Sequence, residues 1–201
     1  MLKRLREWSF PNSNAADDRE VFVEEYRRKV RRLALERTGE PFLNATQDHA
    51  AVIIENMFRS ADHEVCIFTQ HLAPGIYGRE AGVEWAKIFL ADDQSHRLRV
   101  VMKKGELPLL ETNPLYQAIR YAPAFELRVI DDEFHQQFPY RFLVADSDSY
   151  RFEPDHTKCE AVAAFGSERA KHLQVVFDSI WICGEAVNLD KTGHEQPFIA
   201  A

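Results

Sequence analysis

Between positions 15 and 36, apolar side chains recur at Val21, Phe22, Tyr26, Val30, Leu33 and Leu35 among glutamates and arginines. That spacing is one face of a helix, and it predicts an amphipathic helix over 15–36 whose acidic start and basic later half match the helix dipole. Thr38-Gly39-Glu40-Pro41 ends it. A second helix is predicted from a cap at Asn44 or Thr46 through Ala50, Val52, Ile53, Ile54, Met57 and Phe58. The apolar run 64–69, with Cys66 as a small core residue, reads instead as a short buried strand.

From there the period alternates. Helical spacing over 83–90 is followed by a strand at 98–102, a helix at 114–121 and a strand at 125–130. Alternation of this length predicts an α/β fold with a mostly parallel mixed sheet flanked by helices. After Ile130 the pattern changes: 140–146 and 150–153 flank the polar turn Ser147-Asp148-Ser149 and predict a hairpin. A buried strand at 160–165 then runs through Gly166-Ser167 into a helix over 168–182. The expected organisation is an N-terminal helical segment, 1–43, an α/β domain, 44–184, and a tail, 185–201.

Composition narrows the picture. The 201 residues carry 45% hydrophobic and 28% charged side chains, as folded domains do, and a formal net charge of -7. That balance argues against a nucleic-acid grip over the whole surface and leaves a local basic patch open. The chain has no run of about 18 apolar residues and no signal-peptide pattern, so a cytoplasmic protein with no membrane contact is expected. Cys66, Cys159 and Cys183 are too scattered for a disulfide framework or a zinc site. The acids near His96 (Asp92-Asp93) and near His135 (Asp131-Asp132-Glu133) read as solvated turns, so neither a metal nor a cofactor is expected.

The order strand, helix, strand, helix, strand, hairpin, strand, Gly-Ser, helix over 48–181 resembles one half of the phospholipase D-like superfamily. In that resemblance, Cys66 to Thr69 stands as the first core strand and Gly166-Ser167 as the family's Gly-Ser. The resemblance implies phosphodiester chemistry on His-x-Lys followed by an Asp four residues further on. One imidazole attacks phosphorus, a second protonates the leaving oxygen, and the ammonium steadies the equatorial oxygens. Two such motifs must meet, which implies a homodimer. The literal match is His156-Thr157-Lys158, where the Asp position holds Ala163. A second registration sets 140–146 on the motif strand, with His135 near the histidine position and Gln137 in place of the Lys. Neither restores a complete motif, so the resemblance implies a catalytically degenerate domain.

Further candidates surround the strand ends. The loop after the first core strand offers His71, Tyr77 and Arg79 to an anion, with Ser167 as an additional ligand-binding residue. Lys103-Lys104, with Arg97 and Arg99, is the densest basic spot of the sheet region. The expected role is a dimeric binding or regulatory module, with a protein partner on the N-terminal helices or a small phosphate-bearing ligand. The alternatives are a homodimeric phosphodiesterase or nuclease with a composite site of His156 and Lys158, or of His135 with a substitute cation, and a nucleic-acid-binding regulator.

Overall fold

The computed structural model describes residues 15–155 and 157–189. The first amphipathic stretch forms helix α1, Ala15–Glu36, whose stripe turns Val30 and Ala34 into the core. A three-residue strand β1, Phe42–Asn44, precedes helix α2, Gln47–Ser60. Thr46 caps α2, its hydroxyl oxygen accepting the backbone N–H of His49 at 3.1 Å. Every residue of α2 from Ala50 to Phe58 is buried, because α1 and the next long helix pack on it while it lies on the sheet.

Strands β2 (Glu64–Phe68), β3 (Arg97–Lys103) and β4 (Phe125–Ile130) run parallel. Helices α3 (Pro74–Tyr77) and α4 (Glu80–Asp92) make the first crossover. A 3-10 helix, Lys104–Thr112, and α5 (Pro114–Ile119) make the second. Helix α6 (Asp132–Gln136) leads to the hairpin of β5 (Arg141–Ala145) and β6 (Ser149–Glu153). Strand β7 (Ala161–Ala164), helix α7 (Arg169–Cys183) and the short β8 (Glu185–Ala186) follow.

The eight strands form one sheet in the order β1-β7-β6-β5-β2-β3-β4-β8. The α/β class and the mixed sheet between helices are as the pattern predicts, but the parallel share is smaller than expected. Among the described residues two pairings are parallel and five antiparallel. The cause is connection length: a tight hairpin and short links from β5 onward return the chain beside itself, whereas parallel neighbours need a crossover of about a dozen residues. The sheet also extends past 44–184 at both ends, through Phe42 and Leu43 of β1 and Ala186 of β8.

Side chains alternate between two layers. Leu143 and Ala145 of β5 join the core under α1, α2, α4 and α5, and Phe142 and Val144 join the core under α7. At the amino end of β2, Asp146 accepts the backbone N–H groups of Asp62, His63 and Glu64 at 2.7, 2.9 and 2.9 Å. The link after α1 is fastened at that same end. Gly166 adopts φ +75°, and a Cβ there would stand 2.2 Å from the Arg37 carbonyl oxygen, so only glycine admits this approach. Arg37 also ion-pairs with Asp148 in the β5–β6 turn.

Candidate functional site

The register Phe68↔Phe142 and Arg141↔Glu153 brings the carboxyl end of β2, the start of β5 and the end of β6 to one end of the sheet. A buried polar network fills that end on the α2 side. Residues 151 and 153 are two apart on a strand and share a face, and Arg141 lies opposite Glu153 on the neighbouring strand. Glu153, 1% exposed, accepts from both Arg141 and Arg151, the latter at 2.8 Å. Arg151 Nε donates to Asn44 Oδ1 at 3.2 Å, and Asn44 Nδ2 donates to the Cys159 carbonyl at 3.3 Å. The network therefore ties β1, β5, β6 and the segment before β7 together. Charges this deep persist only when paired and hydrogen-bonded, and here one carboxylate is shared between two guanidiniums.

Aromatic side chains close over it. Tyr77 of α3 is buried within electrostatic reach of Arg151, Arg141 and Glu153; burial raises its phenol pKa, and the two arginines oppose the rise. Tyr26 of α1 is pushed up to about 12 by burial, with Arg151 again opposing. Burial likewise raises the Cys159 thiol.

The structure distributes the expected site residues widely. His71 and Tyr77 follow β2 at the network's end of the sheet. Arg79, exposed, turns toward α2 and donates to Asp48 at 2.7 Å. It lines a groove of about 610 Å³ shared by Glu24, Arg27, Asp48 and Glu55. His135 is 3% exposed on the other face of the sheet, its ring stacked on Phe68 at a centroid distance of 5.3 Å. Lys158 is exposed and pairs with Asp155 at 3.6 Å. His156 lies outside the described residues. Ser167 sits at the opposite end of the sheet, its N–H bonded to the carbonyl of Asp148 in the hairpin turn. Gly166-Ser167 thus follows β7, between that strand and α7.

Three of the four cations of the basic spot are ion-paired. Lys103 pairs with Asp132 at 3.1 Å and Lys104 with Glu185 at 2.7 Å. Arg99 is clasped by Glu64 and Asp178 at 2.8 Å each, and lies over the rings of Phe177 and Trp181. His96 is turned inward, its Nδ1 2.6 Å from the Phe89 carbonyl oxygen. Among the described residues, no group of three or more His, Cys, Asp or Glu is arranged to hold a metal ion, and no helix is long and apolar enough to cross a membrane.

Arg141, Arg151 and Glu153 were not singled out from sequence as site residues, and Asn44 was read as a candidate helix cap, a role that Thr46 takes. The signal was present in Arg151-Phe152-Glu153, where opposite charges two apart on a predicted strand share a face.

Comparison with solved structures places the fold. Nuc from Salmonella typhimurium, a phospholipase D family member, superimposes with a TM-score of 0.50 at 15% identity, over 74% of this chain and 99% of its own. TrmBL2, an archaeal chromatin protein with a novel mode of DNA binding, superimposes with a TM-score of 0.55 at 13% identity. That match covers 85% of this chain but 64% of TrmBL2, so the chain spans less than two thirds of that protein's length. No curated protein sequence matches the chain. The sequence profile of DUF7931, a domain of unknown function, matches residues 46–188. The chain belongs to the DUF7931 family, and its fold is phospholipase D-like.

Proposed function

We propose that the protein is a catalytically degenerate phospholipase D-like domain that acts as a cytoplasmic binding or regulatory module for a phosphate-bearing ligand. One observation carries the reading: Arg141 at the start of β5 is engaged by the buried carboxylate of Glu153. With the spacing His-x-Lys-x-x-x-x-Asp, a motif ending on Asp146 puts Arg141 at the lysine position and Pro139 at the histidine position. Proline supplies neither a nucleophile nor a proton donor, and an arginine held by a carboxylate does not replace the lysine that steadies the equatorial oxygens. Asp146 itself is spent on three backbone amides. The competing composite site would draw on His156 and Lys158 from two copies, and the exposure of Lys158 suits such a meeting.

The two readings separate in a phosphodiesterase assay of the full chain on bis(p-nitrophenyl) phosphate and on DNA, with chelator present. No turnover above blank is expected. Turnover abolished by His156→Ala or Lys158→Ala would overturn the proposal. A thermal-shift panel of nucleotides and sugar phosphates tests the binding role, which predicts at least one ligand that raises Tm; a flat panel counts against it.

A further inference from the structure

We propose that the outer face of α1 is a self-complementary dimerisation surface whose partner is a second copy of this chain, docked antiparallel about a two-fold axis near Arg28. This names the interface of the dimer expected above and stands independently of whether the phosphate site is catalytic.

While α1 packs one side on α2 through Tyr26, Val30, Leu33 and Ala34, its other side carries a line of exposed residues. Val21, Glu25, Arg28, Arg32 and Leu35 recur at steps of four, three, four and three, the spacing of a helix–helix seam. Glu24 and Arg31 flank the line. Both ends are apolar and largely exposed: Val21 is 59%, Phe22 62% and Leu35 80% exposed. These are unusual positions for large hydrophobic side chains at both ends of a charged helix.

The charges between them are segregated. Glu24 and Glu25 come first, and Arg27, Arg28, Lys29, Arg31 and Arg32 follow, with Arg27 paired to Glu24. Glu25, Arg28, Lys29 and Arg31 make no ion pair among the described residues. Val21 and Leu35 stand about 21 Å apart at 1.5 Å per residue, with Arg28 midway. A second α1 laid antiparallel over that midpoint puts Val21 against the partner's Leu35, and Glu24 and Glu25 against the partner's Arg32 and the partner's Arg31. The reciprocal contacts repeat on the other side of the axis, as an isologous interface requires. Arg28 meets the partner's Arg28 at the axis, with a Glu25 from each copy beside the pair.

A polyanion docked on the same face would use Arg28, Arg31 and Arg32 but would be repelled by Glu24 and Glu25 and leave Val21 and Leu35 bare. The antiparallel copy satisfies all of them. A lone helix pair falls toward or below the roughly 1,200 Å² of the smallest stable interfaces, so the dimer should be weak and concentration-dependent.

Sedimentation velocity of the full chain over a wide concentration range, at low and high salt, tests this. A reversible monomer–dimer equilibrium that weakens with salt is expected. Glu25→Arg alone and Arg31→Glu alone each place like charges together and should raise Kd by about tenfold or more, because like-charge juxtaposition costs several kcal/mol. The double variant, Glu25→Arg with Arg31→Glu, re-forms opposite pairs across the axis and should restore dimerisation, and Leu35→Asp should abolish it. These residues are exposed, and unchanged melting curves by circular dichroism confirm folded variants. A chain that is monomeric throughout overturns the proposal, as does a dimer indifferent to the single reversals or a double variant no better than either single. A monomer that captures duplex DNA or anionic vesicles through Arg28, Arg31 and Arg32 overturns it in favour of that occupant.

Discussion

Arg151 reaches Asn44 across 107 residues of sequence, its Nε donating to the amide oxygen at 3.2 Å. Asn44 lies just outside the segment that the family profile matches, yet it completes the buried network. Asn44→Ala removes an acceptor for Arg151 and the donor to the Cys159 carbonyl. An expected loss of about 1–3 kcal/mol, the cost of unsatisfied buried polar groups, is measurable by urea denaturation at constant m.

Glu153 is the only carboxylate that both guanidiniums of the network bond among the described residues. Glu153→Gln keeps the shape and removes the charge, and should cost about 3 kcal/mol or more. Replacing Arg141 and Arg151 with Met and Glu153 with Leu should cost less than Glu153→Gln alone, since no buried charge then lacks its counter-charge. A triple variant less stable than the single one would mean that packing, not charge pairing, holds this end of the sheet.

Asp146 gathers three consecutive backbone amides at the turn between α2 and β2. Asp146→Ala should lower stability by about 2 kcal/mol, since bonds to a charged acceptor are worth more than neutral ones and water replaces them in part. Hydrogen exchange at residues 62–64 should accelerate. Unchanged exchange there would show that the turn holds itself.

The docking of α1 should depend on pH through His49. Its ring stacks on Tyr26 at 3.8 Å and on Phe22 at 5.8 Å, and burial lowers its pKa from the usual 6.5 against the pull of Asp48. The unfolded chain therefore takes up the proton first as pH falls. The stability that the neutral ring contributes is intact above about pH 6.5 and is lost as pH drops through and below that value. Limited proteolysis within α1 should quicken between about pH 7.5 and about pH 5.5, and His49→Phe should flatten that dependence.

Local pattern was enough for α1, α2, the three parallel strands and the hairpin, because each carries its own period of 3.6 or 2 over several residues. It was not enough for β1, whose three residues hold no period and whose partner β7 lies more than a hundred positions away. The buried polar face of β6 was not legible for a different reason. Alternation in Tyr150-Arg151-Phe152-Glu153 reads as one buried and one solvated face, but the polar face is covered by α3 and α1 side chains. Periodicity says that two faces differ, not which is wet. Of the candidate site, His71 and Tyr77 were singled out because strand ends collect ligands, while the three-letter His156-Thr157-Lys158 gave no information on where Lys158 would point.

The pairing of β1 with β7 has a practical consequence. An expression fragment cut at residue 46 would discard both β1 and the α1 cover, baring the β7 edge, whose residues Ala161, Val162, Ala163 and Ala164 carry no charge to repel another strand. Such a fragment would be prone to aggregate edge to edge, and the unit recognisable by sequence is shorter than the unit fit to be handled in the laboratory.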